Sequence, residues 1–246
     1  MRKNAIVSGG SSGIGRAICI DLAKRGCNVI FTYRNSLNES LVLIEEIMHD
    51  YKVEAMAVKC DMTDVEQVKG FWKQVKKHYD KIDIVVNNVG TTGEMQLFIM
   101  SDLTKWINTL LANVNSVINL TKTILPTMIR QKSGRIINIT SLGGITGNPG
   151  YSAYASAKAA IYSFTKSLQK EVAQFGIILN CVAPGLISTK MTSNVSDKYQ
   201  TKRFENSIIK RMGNPEEVSN LVTYLALEAP DYIVNQEIII DGGVRG

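Results

Sequence analysis

Short apolar runs alternate along this chain with longer stretches in which apolar positions recur at helical spacing. The runs predict strands over 4–8, 28–34, 53–60, 82–86, 135–140, 176–182 and 237–241. The periodic stretches predict helices over 16–24, 41–50, 65–79, 102–130, 152–174 and 214–227, with a bend at Pro126 in the fourth. Strand and helix follow one another throughout. That order predicts an α/β fold, a doubly wound parallel sheet with helices on both faces. No composition break divides the chain, so a single domain over 1–246 is expected. Residues 91–101 read as a polar connector. Residues 186–212 are polar and charged without a strand, and read as a flexible substrate lid.

Composition narrows the setting. The chain has 246 residues, 45% of them apolar, enough for a full core. It holds no apolar run long enough to cross a bilayer and no signal-peptide core at MRKNAIVSGG, so a cytoplasmic protein that does not engage membrane is expected. Cys19, Cys27, Cys60 and Cys181 lack metal-ligand spacing and read as reduced buried thiols. With only His49 and His78, each isolated, a metal site is not expected. Net charge is +6. The cations are dispersed, and the cluster Lys73, Lys76 and Lys77 reads as one solvated helix face rather than a nucleic-acid stripe.

Chemistry concentrates at strand ends. After the first strand comes Gly9-Gly-Ser-Ser-Gly13-Ile-Gly15, opening a helix. Such a turn offers backbone N–H groups and a helix N-terminus to a phosphate. The second strand ends in Thr32-Tyr33-Arg34-Asn35, where an acid would favour a free ribose 2′-hydroxyl. Arg34 instead favours a 2′-phosphate, hence NADP(H) over NAD(H). Asp61 follows the third strand and either contacts adenine or makes a turn with Thr63. Asn87-Asn-Val-Gly90 ends the fourth strand, and Ser141 the fifth. In the long fourth helix, Asn113 and Asn115 read as a core-side amide pair that needs partners. Tyr154 and Lys158, four apart on a helix, share a face, and a cation beside a phenol lowers its pKa. Tyr151 is the local rival of Tyr154 but has no lysine four positions on.

Together these motifs resemble the short-chain dehydrogenase/reductase family over essentially the full length. The residues that carry the resemblance are SGGSSGIG at 8–15, CDMTD at 60–64, NNVG at 87–90, Asn113, Ser141, YASAK at 154–158 and CVAPGLISTKM at 181–191. Within the family the chain is most similar to 3-oxoacyl-[acyl-carrier-protein] reductases, through SGRIINITSLGGITGNPG, YASAKAA and the terminal DGG.

The resemblance implies a Rossmann-type sheet and an NADP(H)-dependent ketoreductase of fatty-acid or polyketide-like biosynthesis. Gly9, Gly13, Ile14 and Gly15 would hold the pyrophosphate. Ser11, Ser12, Tyr33 and Arg34 would lie at the adenosine ribose and its 2′-phosphate, and Asp61 and Met62 at the adenine. Asn87 and Gly90 would flank the riboses, while Pro184, Gly185, Ile187 and Thr189 would cover the nicotinamide. Ser141 and Tyr154 would donate to the ketone oxygen, with Tyr154 giving up the proton. Lys158 would hold the ribose and lower the Tyr154 pKa, and Asn113 would anchor a relay water. An acidic acyl carrier protein would dock through Arg130 and Lys170. A homotetramer would form through helices 102–130 and 152–174 and the last strand. The chain departs from the pattern at Ser12, where many NADP(H) reductases carry arginine. It departs again at Val89 for alanine and at Val234-Asn235 for Thr-Gly, where asparagine tolerates the left-handed turn. Two other readings stay open: a dehydrogenase of free sugars, steroids or small alcohols, and a non-catalytic NADP-binding scaffold.

Overall fold

The computed structural model describes residues 2–190, 192 and 207–244. Seven strands form one all-parallel sheet: β1 Asn4–Val7, β2 Asn28–Tyr33, β3 Ala55–Lys59, β4 Ile84–Asn87, β5 Gly134–Ile139, β6 Ile177–Pro184 and β7 Glu237–Ile240, in the order β3-β2-β1-β4-β5-β6-β7. Among the described residues the α-helices are α1 Gly13–Lys24, α2 Leu37–Tyr51, α3 Val65–Val75, α4 Leu103–Gln131, α5 Leu142–Thr146, α6 Ser152–Val172 and α7 Pro215–Leu227.

Period-two alternation puts successive strand residues into different cores. In β1, Ala5 and Val7 join Ile18, Leu22, Leu43 and Val222 on the α1, α2 and α7 side. Ile6 joins Phe71, Leu120, Ile124 and Leu168 on the α3, α4 and α6 side. The sheet is therefore buried on both faces, which explains why its strands read as continuous apolar runs rather than alternating ones. The strand order reverses between β1 and β4, successive strands being added outward on either side, and that switch point opens a crevice at the C-terminal strand ends.

Several expected elements shift. The helix after β1 begins at Gly13, inside the glycine turn, and α2 begins at Leu37. β6 runs on through Pro184, which pairs with Ile240; a proline is tolerated there because β7 bonds to Gly185 N–H instead. Pro126 lies inside α4 without ending it. Asn235 takes φ 61°, the left-handed turn expected of it, and its N–H donates to Leu179. The connector is not polar. It contains a 3-10 turn at Phe98–Met100, and Met95, Leu97, Phe98, Ile99 and Met100 all project outward. Most of the expected lid, residue 191 and residues 193–206, lies outside the described residues. No described helix is long and apolar enough to cross a membrane. All four cysteines are buried free thiols.

Candidate active site

The crevice is a cleft of about 510 Å³ running from the end of β2 to the start of α6. Its floor is the glycine turn. Gly9 (φ 69°) and Gly13 (φ 53°) take backbone angles that disfavour side chains. A Cβ on Gly15 would fall 2.1 Å from the Gly9 carbonyl oxygen, so the turn can close this tightly only with glycine there. Ser12 caps α1 without a side-chain bond and leaves the helix N-terminus facing the cleft. Ser8 Oγ accepts from the N–H groups of Asn88 (2.9 Å) and Val89 (3.2 Å), and Asn88 Nδ2 donates to Ser8 O and Gly9 O. The glycine turn and the end of β4 are thus stitched together. Positive-φ glycines at a helix N-terminus, in a cleft that continues past Arg34 on one side and Lys158 on the other, fit a dinucleotide.

Of the residues singled out from sequence, Gly9, Ser11, Ser12, Gly13, Ile14, Gly15, Tyr33, Arg34, Asp61, Met62, Gly90, Ser141, Tyr154, Lys158, Pro184, Gly185, Ile187 and Thr189 all line this cleft. Asp61 also makes the turn with Thr63, accepting from its N–H (2.9 Å) and hydroxyl (2.7 Å).

Asn87 does not line the cleft. It is the last residue of β4, and its side chain turns into the α4–α6 side, where Nδ2 donates to Thr121 (3.0 Å) and Asn138 (2.7 Å). The alternation of a strand sends the next side chain the other way, so Asn88 meets the cleft instead. Asn113 and Asn115 are not a core-side pair either. Residues two positions apart on a helix project about 200° apart, and only Asn113 is fully buried. Asn113 accepts from Thr91 N–H (3.1 Å) and donates to Thr91 O and Thr109 O, both at 2.8 Å. Its amide protons are therefore engaged in pinning the loop after Gly90, and only Oδ1 retains capacity for a water.

The catalytic candidates meet at the other end. Ser141 caps α5, and its Oγ accepts from Gly143 N–H at 3.1 Å. With the oxygen engaged from behind, the hydroxyl proton is directed outward as a donor. Tyr154 and Lys158 rise from one face of α6. Lys158 is 3% exposed and donates to Ile139 O at 2.8 Å. Burial pushes its ammonium down to about 8. Burial also raises the Tyr154 phenol, with a hydrogen bond donated by the Ser141 hydroxyl pulling the other way. This corrects the expectation that Lys158 lowers the tyrosine. The ammonium lies 5.7 Å from the centre of the Tyr154 ring and is turned toward the Ile139 carbonyl, so desolvation of the phenol dominates. A Cβ on Gly90 would fall 2.8 Å from Asn113 Oδ1 and 3.2 Å from Lys158 Nζ, so Gly90 is what lets these two groups approach the cleft floor.

Thr92, Asn148, Tyr151, Leu186 and Lys190 also line the cleft and were not picked out as ligand contacts from sequence. Tyr151 had been set aside as a catalytic rival, and Asn148 sits in a Gly-Asn-Pro-Gly turn that reads as loop. Asn148 Nδ2 and Ser141 Oγ both lie within 3.5 Å of the point a Gly143 Cβ would occupy.

The geometry is that of a nucleotide-binding α/β protein with a buried tyrosine–lysine pair at the far end of its crevice. Residues 3–200 match the short chain dehydrogenase family, and the chain belongs to that family. It is 36% identical over 244 residues to the 3-oxoacyl-[acyl-carrier-protein] reductase FabG of Staphylococcus epidermidis, covering 99% of both chains. It is 38% identical over 242 residues to FabG of Aquifex aeolicus, covering 98% of this chain and 97% of that one. To the 3-oxoacyl-[acyl-carrier-protein] reductase of Synechocystis it is 37% identical over 241 residues, covering 98% and 96%.

Proposed function

We propose that the protein reduces a 3-oxoacyl thioester, carried on an acyl carrier protein, to the 3-hydroxyacyl form with NADPH, in fatty-acid biosynthesis. The observation that carries this is the convergence of Ser141, Tyr154 and Lys158 on one end of a dinucleotide-shaped cleft, in a chain matching three such reductases over nearly its whole length. A reduced nicotinamide supplies the hydride. Tyr154 supplies the proton, and one of each converts a ketone to a secondary alcohol. Ser141 donates a hydrogen bond to the ketone oxygen as negative charge builds there. The raised Tyr154 pKa suits this direction, because the phenol stays protonated and acts as the acid. Lys158 holds a positive charge beneath the phenol and returns the proton once Tyr154 has given its own away. Arg34 and the glycine turn bind the cofactor at the adenosine end.

Arg130 and Lys170 are exposed near the C-terminal ends of α4 and α6. Helices of a parallel α/β sheet run against the strands, so these ends lie away from the cleft. From Asn113 to Arg130 the axis covers about 25 Å. A carrier docked there would serve the cleft of a neighbouring chain in a homotetramer rather than its own. Initial rates with carrier-bound acetoacetyl, acetoacetyl-CoA and a panel of free ketones and sugars test the reading. Carrier-bound substrate and NADPH should win, and turnover confined to free alcohols or sugars would refute it.

A further inference from the structure

Among the described residues lining the cleft, only Arg34, Asp61, Lys158 and Lys190 carry charge. Lys158 is engaged at the nicotinamide end by the Ile139 carbonyl. At the other end, Arg34 Nη1 lies 3.9 Å from Asp61 Oδ2. Hydrogen bonds from Thr63, aided by desolvation-opposing attraction to Arg34, hold the Asp61 carboxyl below its ordinary value. It therefore stays ionised, and an anion bound at Arg34 would face a carboxylate as well as the guanidinium. The glycine turn adds no cation, since Ser11 and Ser12 are neutral.

Lys190 stands one residue past Thr189, whose Cγ2 lies 3.4 Å from the point a Gly13 Cβ would occupy. From there the Lys190 side chain extends over the corner between the glycine turn and α2. Its Nζ sits 3.9 Å from Glu39 Oε1. Glu39 is in the first turn of α2, one turn from the capping residue Ser36, which follows Arg34 by two positions. Lys190 and the segment Arg34-Asn35-Ser36 line the same cleft, and Glu39 is in the first turn of the helix that follows that segment.

We propose that Lys190 is a second phosphate-binding cation that acts with Arg34 on the 2′-phosphate of NADP(H). The inference rests on the reading that the cleft takes NADP(H), and it names how this chain pays the electrostatic cost of that group. A phosphate monoester brings close to two negative charges. It would lie beside Asp61, and Arg34 alone cannot offset both. Lys190 supplies a second positive charge. Its ion pair with Glu39 is long and exposed, 87% and 53% by side chain, so that contact holds the ammonium only weakly.

The test is direct binding of NADPH and NADH to the full chain, read by calorimetry. Lys190→Ala should weaken NADPH roughly ten-fold and leave NADH within about two-fold, the size expected for one partly solvated charge-assisted contact. Glu39→Gln should tighten NADPH a few-fold and leave NADH unchanged, because it removes a carboxylate that competes for the Lys190 ammonium. Equal weakening of both cofactors by Lys190→Ala would overturn the proposal and move Lys190 to the diphosphate they share. No change in either would overturn it as well. If the unsubstituted protein bound NADH as tightly as NADPH, the cofactor reading itself would fall, and the proposal with it, before any variant was compared.

Discussion

At the scale of single residues, burial rather than charge pairing sets the chemistry of the pair on α6. Tyr154 is raised and Lys158 is lowered to about 8, each because its charged form loses solvation. The sign follows for the proposed reduction. Lys158 is a cation below its pKa and neutral above it, while Tyr154 remains a protonated acid throughout that range. The rate of ketone reduction should therefore hold level through neutral pH and fall as pH rises past about 8. A pH profile of kcat/KM in the reductive direction reads this limb; a profile still level near pH 10, the ordinary range for lysine, would contradict it. Spacing alone revealed the shared face of Tyr154 and Lys158, because four residues make one helical turn. It did not reveal their protonation, which depends on how deeply β5 and α6 enclose them. Asn87 and Asn88 teach the same lesson. Two adjacent amides at a strand end look alike in sequence, and only the register of β4 decides which one faces the cleft.

At the scale of elements, the strand–turn–helix unit β1-α1 was legible because each of its glycines answers a geometric demand. A Cβ on Gly10 would lie 2.5 Å from Phe31 Cβ and 2.7 Å from Cys19 Sγ, where β2 and α1 press on the turn. Gly10→Ala should cost about 2–3 kcal/mol, lowering Tm by roughly 5–10 °C in thermal unfolding. Gly70, in the middle of α3, has nothing within 4 Å of its added Cβ. Gly70→Ala should raise stability by about 0.5–1 kcal/mol, since it only trims the freedom of the unfolded chain. Equal effects from the two would mean that helix propensity, not packing, governs these sites. The connector 91–101 is a connector as expected, but it is not polar. Its apolar half, Met95 to Met100, obeys no period that points to a core within this chain, and the structure leaves it outward.

At the scale of the whole molecule, the α/β alternation was enough to foresee the parallel sheet and both buried faces. What an isolated chain cannot bury is equally informative. Leu103, Ile107, Leu111 and Ile118 form an exposed stripe along α4, continuous with Phe98, Ile99 and Met100. Ile239 is exposed on the edge strand β7, and Ile208 and Ile209, also exposed, bond to Gly243 and Gly242 just past its end. Apolar surface of this extent argues for a partner, and the proposed homotetramer would cover it with copies of the same helix and strand. Leu111→Glu should shift the assembly toward dimers or monomers in light scattering while circular dichroism stays native. A wild-type monomer would remove the tetramer, and with it the route by which a carrier at Arg130 and Lys170 reaches a cleft.

The central claim is that Tyr154 protonates a ketone at the end of an NADPH-binding cleft. Its most direct test is turnover of a 3-oxoacyl thioester by Tyr154→Phe, with NADPH affinity measured on the same sample. The account predicts at least a hundred-fold loss of kcat, the usual scale for removing a positioned acid, with NADPH binding essentially intact. A variant that still reduced the thioester at the wild-type rate would contradict it.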